Sequence, residues 1–225
     1  MLIKLFLNSL LFTGFFGALL FLPAGTLGWP QGWAFILLFA GCSEAMGIWL
    51  WKTNPSLLSA RMESPMSARQ APADRAVIIA IMVVFVLWIA FMAIDARRFQ
   101  WSHMPGWAEI VGAILIVAAF YGWIGVLKAN SFASSTIRLQ QERGQTVIST
   151  GPYRIVRHPM YAYVLLLLIG MPLLLGSFWG LLALPLIVLL LVARTLREEA
   201  MLRAGLAGYA DYAAKVRFRF VPGLW

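Results

Sequence analysis

AVIIAIMVVFVLWIAFMAI, residues 76–94, is an apolar run without a charged side chain, and it decides the fold. A helix of about 20 apolar residues is long enough to cross the roughly 30 Å hydrocarbon core of a bilayer. Three further, predominantly apolar runs occupy residues 5–22, 33–51 and 107–127, of which the last two contain one glutamate each. The chain of 225 residues is 61% hydrophobic and only 12% charged. These features exclude an ordinary soluble domain and predict an integral membrane protein.

Two shorter apolar runs follow at residues 160–176 and 178–193, separated by a Gly-Ser step. The first would be about 25 Å long as a helix, which is marginal for a full crossing, so the pair predicts a tight helical hairpin. We therefore predict an all-α polytopic membrane protein of about five or six transmembrane helices. The predicted organisation is a four-helix scaffold at 1–127 and a C-terminal region at 128–225, which contains the hairpin at 160–193 and a cytoplasmic tail.

The 18 lysines and arginines are divided unevenly between the two sides of the predicted membrane. With six crossings, Arg97 and Arg98 lie on one side and all the others lie on the opposite side. Because short cytoplasmic loops are enriched in Lys and Arg, this bias predicts that both termini and the 128–159 segment are cytoplasmic. The net charge of +9 is then explained by topology and contact with anionic lipids, and not by nucleic-acid binding.

A polar stretch, NSFASSTIRLQQERGQTVISTG at residues 130–151, leads into GPYRIVRHPMY at residues 151–161. A loop of this length between two membrane helices is typical of a functional segment. Pro159 suits the first turn of a helix and predicts a helix start with His158 at the cap, where free N–H groups attract an anionic group. Further along, Arg194 and Glu198 are four residues apart and share one helical face. From residue types alone, a functional site is no better supported than a structural role, in which these side chains are interfacial basic anchors and the solvated face of a helix.

Order and spacing are more specific than residue types. The motifs are Gly-Pro-Tyr-x-x-x-Arg-His-Pro-x-Tyr, a hairpin with Leu-Gly-Ser, Arg-Thr-x-x-Glu-Glu-x-x-Leu, Gly-Tyr-x-x-Tyr and a closing Arg-Phe-x-Pro-Gly-x-Trp. Together they resemble the isoprenylcysteine carboxyl methyltransferase family, in its bacterial branch, over residues 130–225. Upstream, only membrane helices are shared. The resemblance implies that 128–225 is the catalytic and cofactor-binding region of a protein in the bacterial inner membrane.

What the resemblance implies is a cytosol-facing pocket for S-adenosylmethionine beside an opening to the lipid. Arg194 matches the family's acceptor-holding arginine, and we take it with His158 as the catalytic pair, leaving open whether His158 acts as a base. Relatives commonly have glycine where this chain has Tyr163, so we expect a narrower pocket or a reshaped path for the acceptor. The cofactor-binding residues carried over by motif are Gln145, Thr146, Val147, Ile148, Tyr153, His158, Pro159, Tyr161 and Glu198.

The implied reaction is an in-line displacement at the methyl group of the sulfonium. The protein must position the donor and the acceptor and exclude water from the site, and it needs no nucleophilic side chain of its own. Arg194 is expected to orient a polar or anionic group of a lipophilic acceptor. A prenylcysteine carboxylate, another isoprenoid acid, a phospholipid amine and a small hydrophobic molecule all fit a pocket open to lipid. Carboxyl O-methylation is the favoured reaction, because a carboxylate acceptor needs no base.

Two other functions remain as alternatives. A membrane reductase of the sterol-reductase type would have a similar C-terminal layout and would use NADPH. A non-enzymatic transporter would need polar or broken helices near the membrane midplane, for which Glu44, Pro172 and Pro185 are the candidates. The sequence contains no metal-ligand spacing, and it does not determine the oligomeric state.

Overall fold

The structure is a computed structural model that describes residues 2–62, 72–133 and 139–225. Within these ranges the protein is helical and contains no β-strand, which confirms the predicted all-α class. Arg69 and Arg138, which contribute to the predicted orientation, lie outside the described residues. The helices in chain order are α1 (Leu2–Ala24), α2 (Pro30–Thr53), α3 (Pro55–Arg61), α4 (Pro72–Ala93), α5 (Gly106–Ala129), α6 (Pro159–Leu175), α7 (Phe178–Leu182), α8 (Leu184–Gly205) and α9 (Tyr209–Lys215).

Five segments of the described chain are long and apolar enough to cross a membrane. The shorter apolar helix α6 has 17 residues, so it accounts for the difference between five and six predicted crossings. The prediction of five or six transmembrane helices is therefore confirmed. The five segments are Ile3–Ala24, Pro30–Thr53, Arg75–Arg98, Gly106–Ala129 and Phe178–Gly205.

The long helices run alternately between two ends of a bundle. We call one the loop end, formed by residues 54–62, 130–133, 139–158 and 198–225, and the other the opposite end, formed by residues 24–29, 94–105 and 176–183. A buried polar cluster holds the opposite end together. There the fully buried Asp95 carboxylate accepts hydrogen bonds from the hydroxyls of Ser102, at 2.7 and 2.9 Å, and Ser177, at 2.6 Å. Two connections, 94–105 and 176–183, are thereby joined away from the functional segments.

Helices α5 and α6 pack closely because small residues let their backbones approach. A methyl group added to Gly170 would lie 2.8 Å from the carbonyl oxygen of Gly112, so neither position has room for a side chain. One turn from the loop end, the ring of Tyr163 fills the space beside Gly122, where an added Cβ would overlap it. This interface fixes the position of the helix that follows the functional loop.

The predicted start of α6 is confirmed, with Pro159 at its first position and His158 as its N-cap. The hairpin itself differs from the prediction in two respects. Between Gly176 and α8 the chain forms the short helix α7, which Ser177 caps by accepting a hydrogen bond from the N–H of Gly180. Helix α8 does not end at residue 193 but continues to Gly205, because residues 194–205 are mostly good helix formers. The helical face that Arg194 and Glu198 were predicted to share is therefore part of α8, which extends beyond the apolar run.

Candidate functional site

A cavity opens at the loop end, between the 139–158 segment, the start of α6, the last turns of α8, and α9. It holds about 860 Å³ of non-atom space, a figure that includes the open solvent at its mouth. The lining combines polar and apolar side chains: Asn130, Phe132, Ala133, Gln140, Gln145, Thr146, Val147, Ile148, Tyr153, Arg157, His158, Met160, Tyr161, Glu198, Met201, Leu202, Leu206, Tyr209 and Tyr212.

Glu198 is the acidic side chain of this lining, and its own side chain is 26% exposed. The Tyr161 hydroxyl donates a hydrogen bond of 2.8 Å to its Oε2 atom, and His158 Nδ1 lies 3.9 Å from the same oxygen. The rings of His158 and Tyr161 stack with their centroids 5.7 Å apart. An accessible carboxylate flanked by hydrogen-bonding rings can accept from an ammonium group or from sugar hydroxyls.

Glu199, the next residue, has a different role, because neighbouring residues on a helix point in directions about 100° apart. Its buried carboxylate accepts from Arg157 Nε at 2.6 Å and lies 3.2 Å from His158 Nε2 through the same oxygen, Oε1. Its other oxygen, Oε2, accepts from Arg219 Nε at 3.2 Å. The His158 ring is thus held between two carboxylates, Glu199 behind it and Glu198 on the cavity side.

The C-terminal segment folds back against this ion cluster. Backbone N–H groups of Arg157 and His158 donate to the carbonyl oxygens of Phe218 and Arg219, each at 2.9 Å. The Phe220 ring meets the edge of the His158 and Tyr161 rings, with centroids 6.3 and 5.8 Å away. The closing Arg-Phe motif therefore forms a wall behind the His-Pro-x-Tyr motif and keeps it from water.

The 139–158 segment is ordered by its own hydrogen bonds. The Gln145 side chain accepts from the backbone N–H of Gln140 at 2.7 Å, and Gln140 Nε2 donates to Phe132 O at 2.7 Å. The Tyr153 hydroxyl accepts from Asn130 Nδ2 at 2.8 Å, which ties the segment to the end of α5. Burial raises the pKa of the Tyr153 phenol to about 12, so it remains neutral at physiological pH.

The part of the lining beside α9 is apolar and aromatic. Val147, Tyr153, Leu202 and Leu206 pack there against the buried rings of Tyr209 and Tyr212. The Tyr212 hydroxyl donates to the Tyr153 carbonyl oxygen at 2.8 Å. The cavity consequently has a polar part around Glu198 and a flat, apolar part around Tyr209.

Of the residues predicted for the site, eight line this one cavity and two do not. Pro159 is buried at the start of α6, and Arg194 lies on α8 one turn before Glu198, outside the lining. The eight that come together are Gln145, Thr146, Val147, Ile148, Tyr153, His158, Tyr161 and Glu198. Their assigned roles stay predictions.

Tyr163 does not narrow the cavity, contrary to what its position in the motif suggested. Its ring occupies the space beside Gly122 in the interface of α5 and α6, and it is not part of the lining. The expectation of a narrower pocket is therefore wrong for this residue, and the alternative, a reshaped path for the acceptor, stays a prediction. The bulk of this side chain is accommodated beside a glycine of the neighbouring helix α5.

Several lining residues were not predicted from the sequence. Met201 and Leu202 lie three and four positions after Glu198, so helical periodicity places them on the same face and was sufficient to find them. Tyr209 depends on the turn before α9, where Gly208 has a φ of 81°. Arg157 and Glu199 each belong to a quoted motif, but no local pattern indicates that they pair, and none marks Asn130.

Comparison with known proteins supports the family resemblance. The family model described as "Phospholipid methyltransferase" matches residues 107–207, which run from the start of α5 to just beyond α8. That family belongs to the integral membrane methyltransferases of the isoprenylcysteine carboxyl methyltransferase type, so the predicted resemblance is confirmed at family level, without a subfamily. No curated protein matches the chain.

Proposed function

We propose that the chain methylates a lipophilic acceptor with S-adenosylmethionine as the donor, because its residues 107–207 match the model of a membrane methyltransferase family. The carboxylate of an isoprenoid or prenylcysteine-like molecule is the proposed methyl acceptor. One observation supports the proposal above all others. Eight residues that the motifs assign to the cofactor line a single cavity, although they come from three separate segments of the chain.

The donor groups of the cavity fit this cofactor. When bound, S-adenosylmethionine supplies a methyl group on an electrophilic, positively charged sulfur. Glu198 suits its ammonium group or its ribose hydroxyls, because this carboxylate is accessible and is oriented by the Tyr161 hydroxyl. Val147, Tyr153 and Leu202 suit the apolar faces of its base. The described residues contain no cluster of three or more metal-ligating side chains, and methyl transfer needs none.

The chain's own residues would act by position and by exclusion of water. Glu199 fixes the ring of His158 through Nε2, and Phe220 covers that ring from the side away from the cavity. Arg194, one turn deeper on α8, is proposed to hold the acceptor carboxylate. A carboxylate needs no deprotonation, so no general base is required. Its oxygen would form the new C–O bond as the methyl–sulfur bond breaks, and S-adenosylhomocysteine would leave as the thioether. The apolar lining at Phe132, Ala133 and Met160 suits an apolar tail.

A second acceptor class is favoured by the description of the matching family. A phospholipid amine would give an N-methyl product, and the amine must lose a proton before it can react. His158 is the proposed base in that case, since its Nδ1 atom lies on the side of Glu198. Methylation of an amine would therefore require His158 as a base, whereas methylation of a carboxylate would not.

Treatment with base distinguishes a methyl ester from an N-methyl product. The purified protein in lipid nanodiscs is incubated with a membrane lipid extract and methyl-labelled S-adenosylmethionine, and the labelled lipids are then treated with base. A methyl ester releases volatile labelled methanol, whereas an N-methyl group retains the label. We expect volatile label that is lost in Glu198→Gln and kept in the matched control Asp211→Asn, an exposed acid outside the cavity lining. Stable lipid label would support the amine acceptor, and no lipid label would contradict the proposal.

The alternative reductase and transporter functions make distinct predictions. Protection of the protein from unfolding by NADPH, without protection by S-adenosylhomocysteine, would favour a reductase. Proton-coupled uptake into liposomes that is lost in Glu44→Gln would favour a transporter. We propose methyl transfer ahead of both because the family match includes the cavity-forming ends of α6 and α8.

The loop end is proposed to face the cytoplasm, where S-adenosylmethionine is made. The support is the excess of Lys and Arg at this end, against Arg97 and Arg98 at the other. Single cysteines introduced by Gln100→Cys and Asp211→Cys in a Cys42→Ser background test it. A membrane-impermeant maleimide applied to intact cells should label the first variant only, and labelling of the second alone would reverse the orientation.

A further inference from the structure

Tyr209, a residue of the cavity lining, has a buried hydroxyl without a hydrogen-bond partner among the described residues. The residue is the first of α9 and lines the cavity, and only 4% of its surface is exposed. Its hydroxyl oxygen is buried and has no hydrogen-bond partner among the described residues. Buried polar groups are almost always paired, because an unpaired one loses its hydration without compensation. A partner from a bound molecule would remove this deficit.

The two neighbouring tyrosines show that the deficit is particular to this position. The Tyr212 hydroxyl donates to the Tyr153 carbonyl oxygen, and the Tyr153 hydroxyl accepts from Asn130, each at 2.8 Å. Tyr212 and Tyr209 lie on the same helix with ring centroids 5.8 Å apart. The Tyr212 hydroxyl therefore has its hydrogen-bond partner within the protein, whereas the Tyr209 hydroxyl is left to bond with a ligand.

The surroundings of Tyr209 restrict the kind of ligand group that it contacts. Val147, Leu202 and Leu206 belong to the apolar cluster that packs around Tyr209 and Tyr212. The charges of Glu199, Glu198 and Arg157 also act on the Tyr209 phenol, but these groups are held in the ion cluster and by the Tyr161 hydroxyl. Burial raises the pKa of the Tyr209 phenol, so the group is a neutral donor at physiological pH. A flat aromatic base has apolar faces for such walls and ring nitrogens at its edge that accept a hydrogen bond. The ammonium and ribose groups are better matched by Glu198.

We propose that the Tyr209 hydroxyl donates a hydrogen bond to a ring nitrogen of the adenine base, and that it thereby contributes to selection of the nucleoside. This inference rests on the proposed function, because it requires S-adenosylmethionine as the ligand of the cavity. It assigns a specificity-determining role to a residue outside the motif-derived set. The apolar side chains around Tyr209 would contact the faces of any planar base, whereas a hydrogen bond from the Tyr209 hydroxyl would require an acceptor atom at the edge of the base.

Binding of base-modified ligands tests the assignment without measurement of turnover. Isothermal titration calorimetry compares S-adenosylhomocysteine with its 1-deaza, 3-deaza and 7-deaza analogues, each lacking one ring nitrogen. Tyr209→Phe keeps the ring and removes the hydroxyl, so it should weaken S-adenosylhomocysteine binding about 3- to 10-fold. One deaza analogue should bind the wild type and Tyr209→Phe equally, because the acceptor atom is already absent from it.

Tyr212→Phe is the matched control, since its hydroxyl is bonded within the protein. It should lower the midpoint of thermal unfolding of the ligand-free protein and change the affinity for all four ligands by the same factor. Tyr209→Phe should leave the ligand-free midpoint unchanged or raise it, because it removes an unpaired buried hydroxyl.

Four results would overturn the inference. The first is an unchanged affinity of Tyr209→Phe for S-adenosylhomocysteine. The second is an equal loss on all four ligands, and the third is a marked fall in the ligand-free unfolding midpoint, which would mean that the hydroxyl is bonded within the protein. In these three cases the wild type still binds S-adenosylhomocysteine, so the proposed function stands. The fourth, failure of the wild type to bind any of the ligands, would remove the proposed function and this inference together.

Discussion

Replacement of Glu199 by glutamine tests the ion cluster behind the cavity. The substitution keeps the size of the side chain and one acceptor oxygen but removes the negative charge. Arg157, which is only 6% exposed, then loses the counter-ion that lies 2.6 Å from its Nε atom. Arg219 Nη2 loses the same partner at 3.1 Å, but its side chain is 24% exposed and water can replace the carboxylate.

The size of the effect follows from what remains around Arg157. Removing one partner of a buried ion pair costs about 3–5 kcal/mol, because the other charge stays buried. Here the guanidinium keeps the carbonyl oxygens of Val216 and Arg217, each 2.8 Å from Nη1, so we expect a loss of about 2–3 kcal/mol. For a chain of this length, that corresponds to a fall of about 4–12 °C in the midpoint of thermal unfolding.

The assay is thermal unfolding of detergent-purified protein, with Glu198→Gln as the matched control on the adjacent position. Glu198 is partly exposed and faces the cavity, so its substitution should change the midpoint by less than about 2 °C while weakening S-adenosylhomocysteine binding by about tenfold or more. A midpoint within about 2 °C of wild type for Glu199→Gln would refute the reasoning. So would a large stability loss in Glu198→Gln without a change in affinity.

Three further predictions concern the helices around the site. Gly122→Ala should destabilise the protein by about 1–3 kcal/mol through overlap with the Tyr163 ring, and adding Tyr163→Ala should recover part of that loss; additive losses in thermal unfolding would contradict the contact. Asp95→Ala should lower the unfolding midpoint without changing S-adenosylhomocysteine affinity in calorimetry, because the buried carboxylate lies at the opposite end; weakened binding would contradict this separation. Arg194→Ala should retain S-adenosylhomocysteine affinity and lose methyl transfer to lipid, and loss of both would place Arg194 with the cofactor.

The membrane helices could be predicted from the sequence because the thickness of the bilayer fixes the length of an apolar run. The runs at 76–94 and 107–127 lie within the spans Arg75–Arg98 and Gly106–Ala129. Helix ends were less predictable, since hydropathy marks where the hydrocarbon stops and not where the helix stops. Helix α8 shows the difference, because its charged last turns continue the helix beyond the apolar run.

The candidate site could be predicted where a motif fixes the chemistry. Tyr153, Tyr161 and Glu198 all line the cavity. The motif assigned Glu198 and not Glu199 to the cofactor, but the ion-cluster role of Glu199 could not be predicted, because it depends on how α8 is rotated relative to the returning C-terminal segment. The position of Tyr163 was likewise decided by a glycine on another helix, Gly122. Contacts of this kind join positions that are distant in sequence, and a local pattern contains no information about them.

The most direct test of the central claim is photochemical cross-linking of labelled S-adenosylmethionine to the purified protein, followed by identification of the modified peptides. We expect label in residues 145–161 and 198–212, removed by excess S-adenosylhomocysteine and unaffected by NADPH. Label confined to the opposite end of the bundle, or label removed by NADPH and not by S-adenosylhomocysteine, would contradict the account.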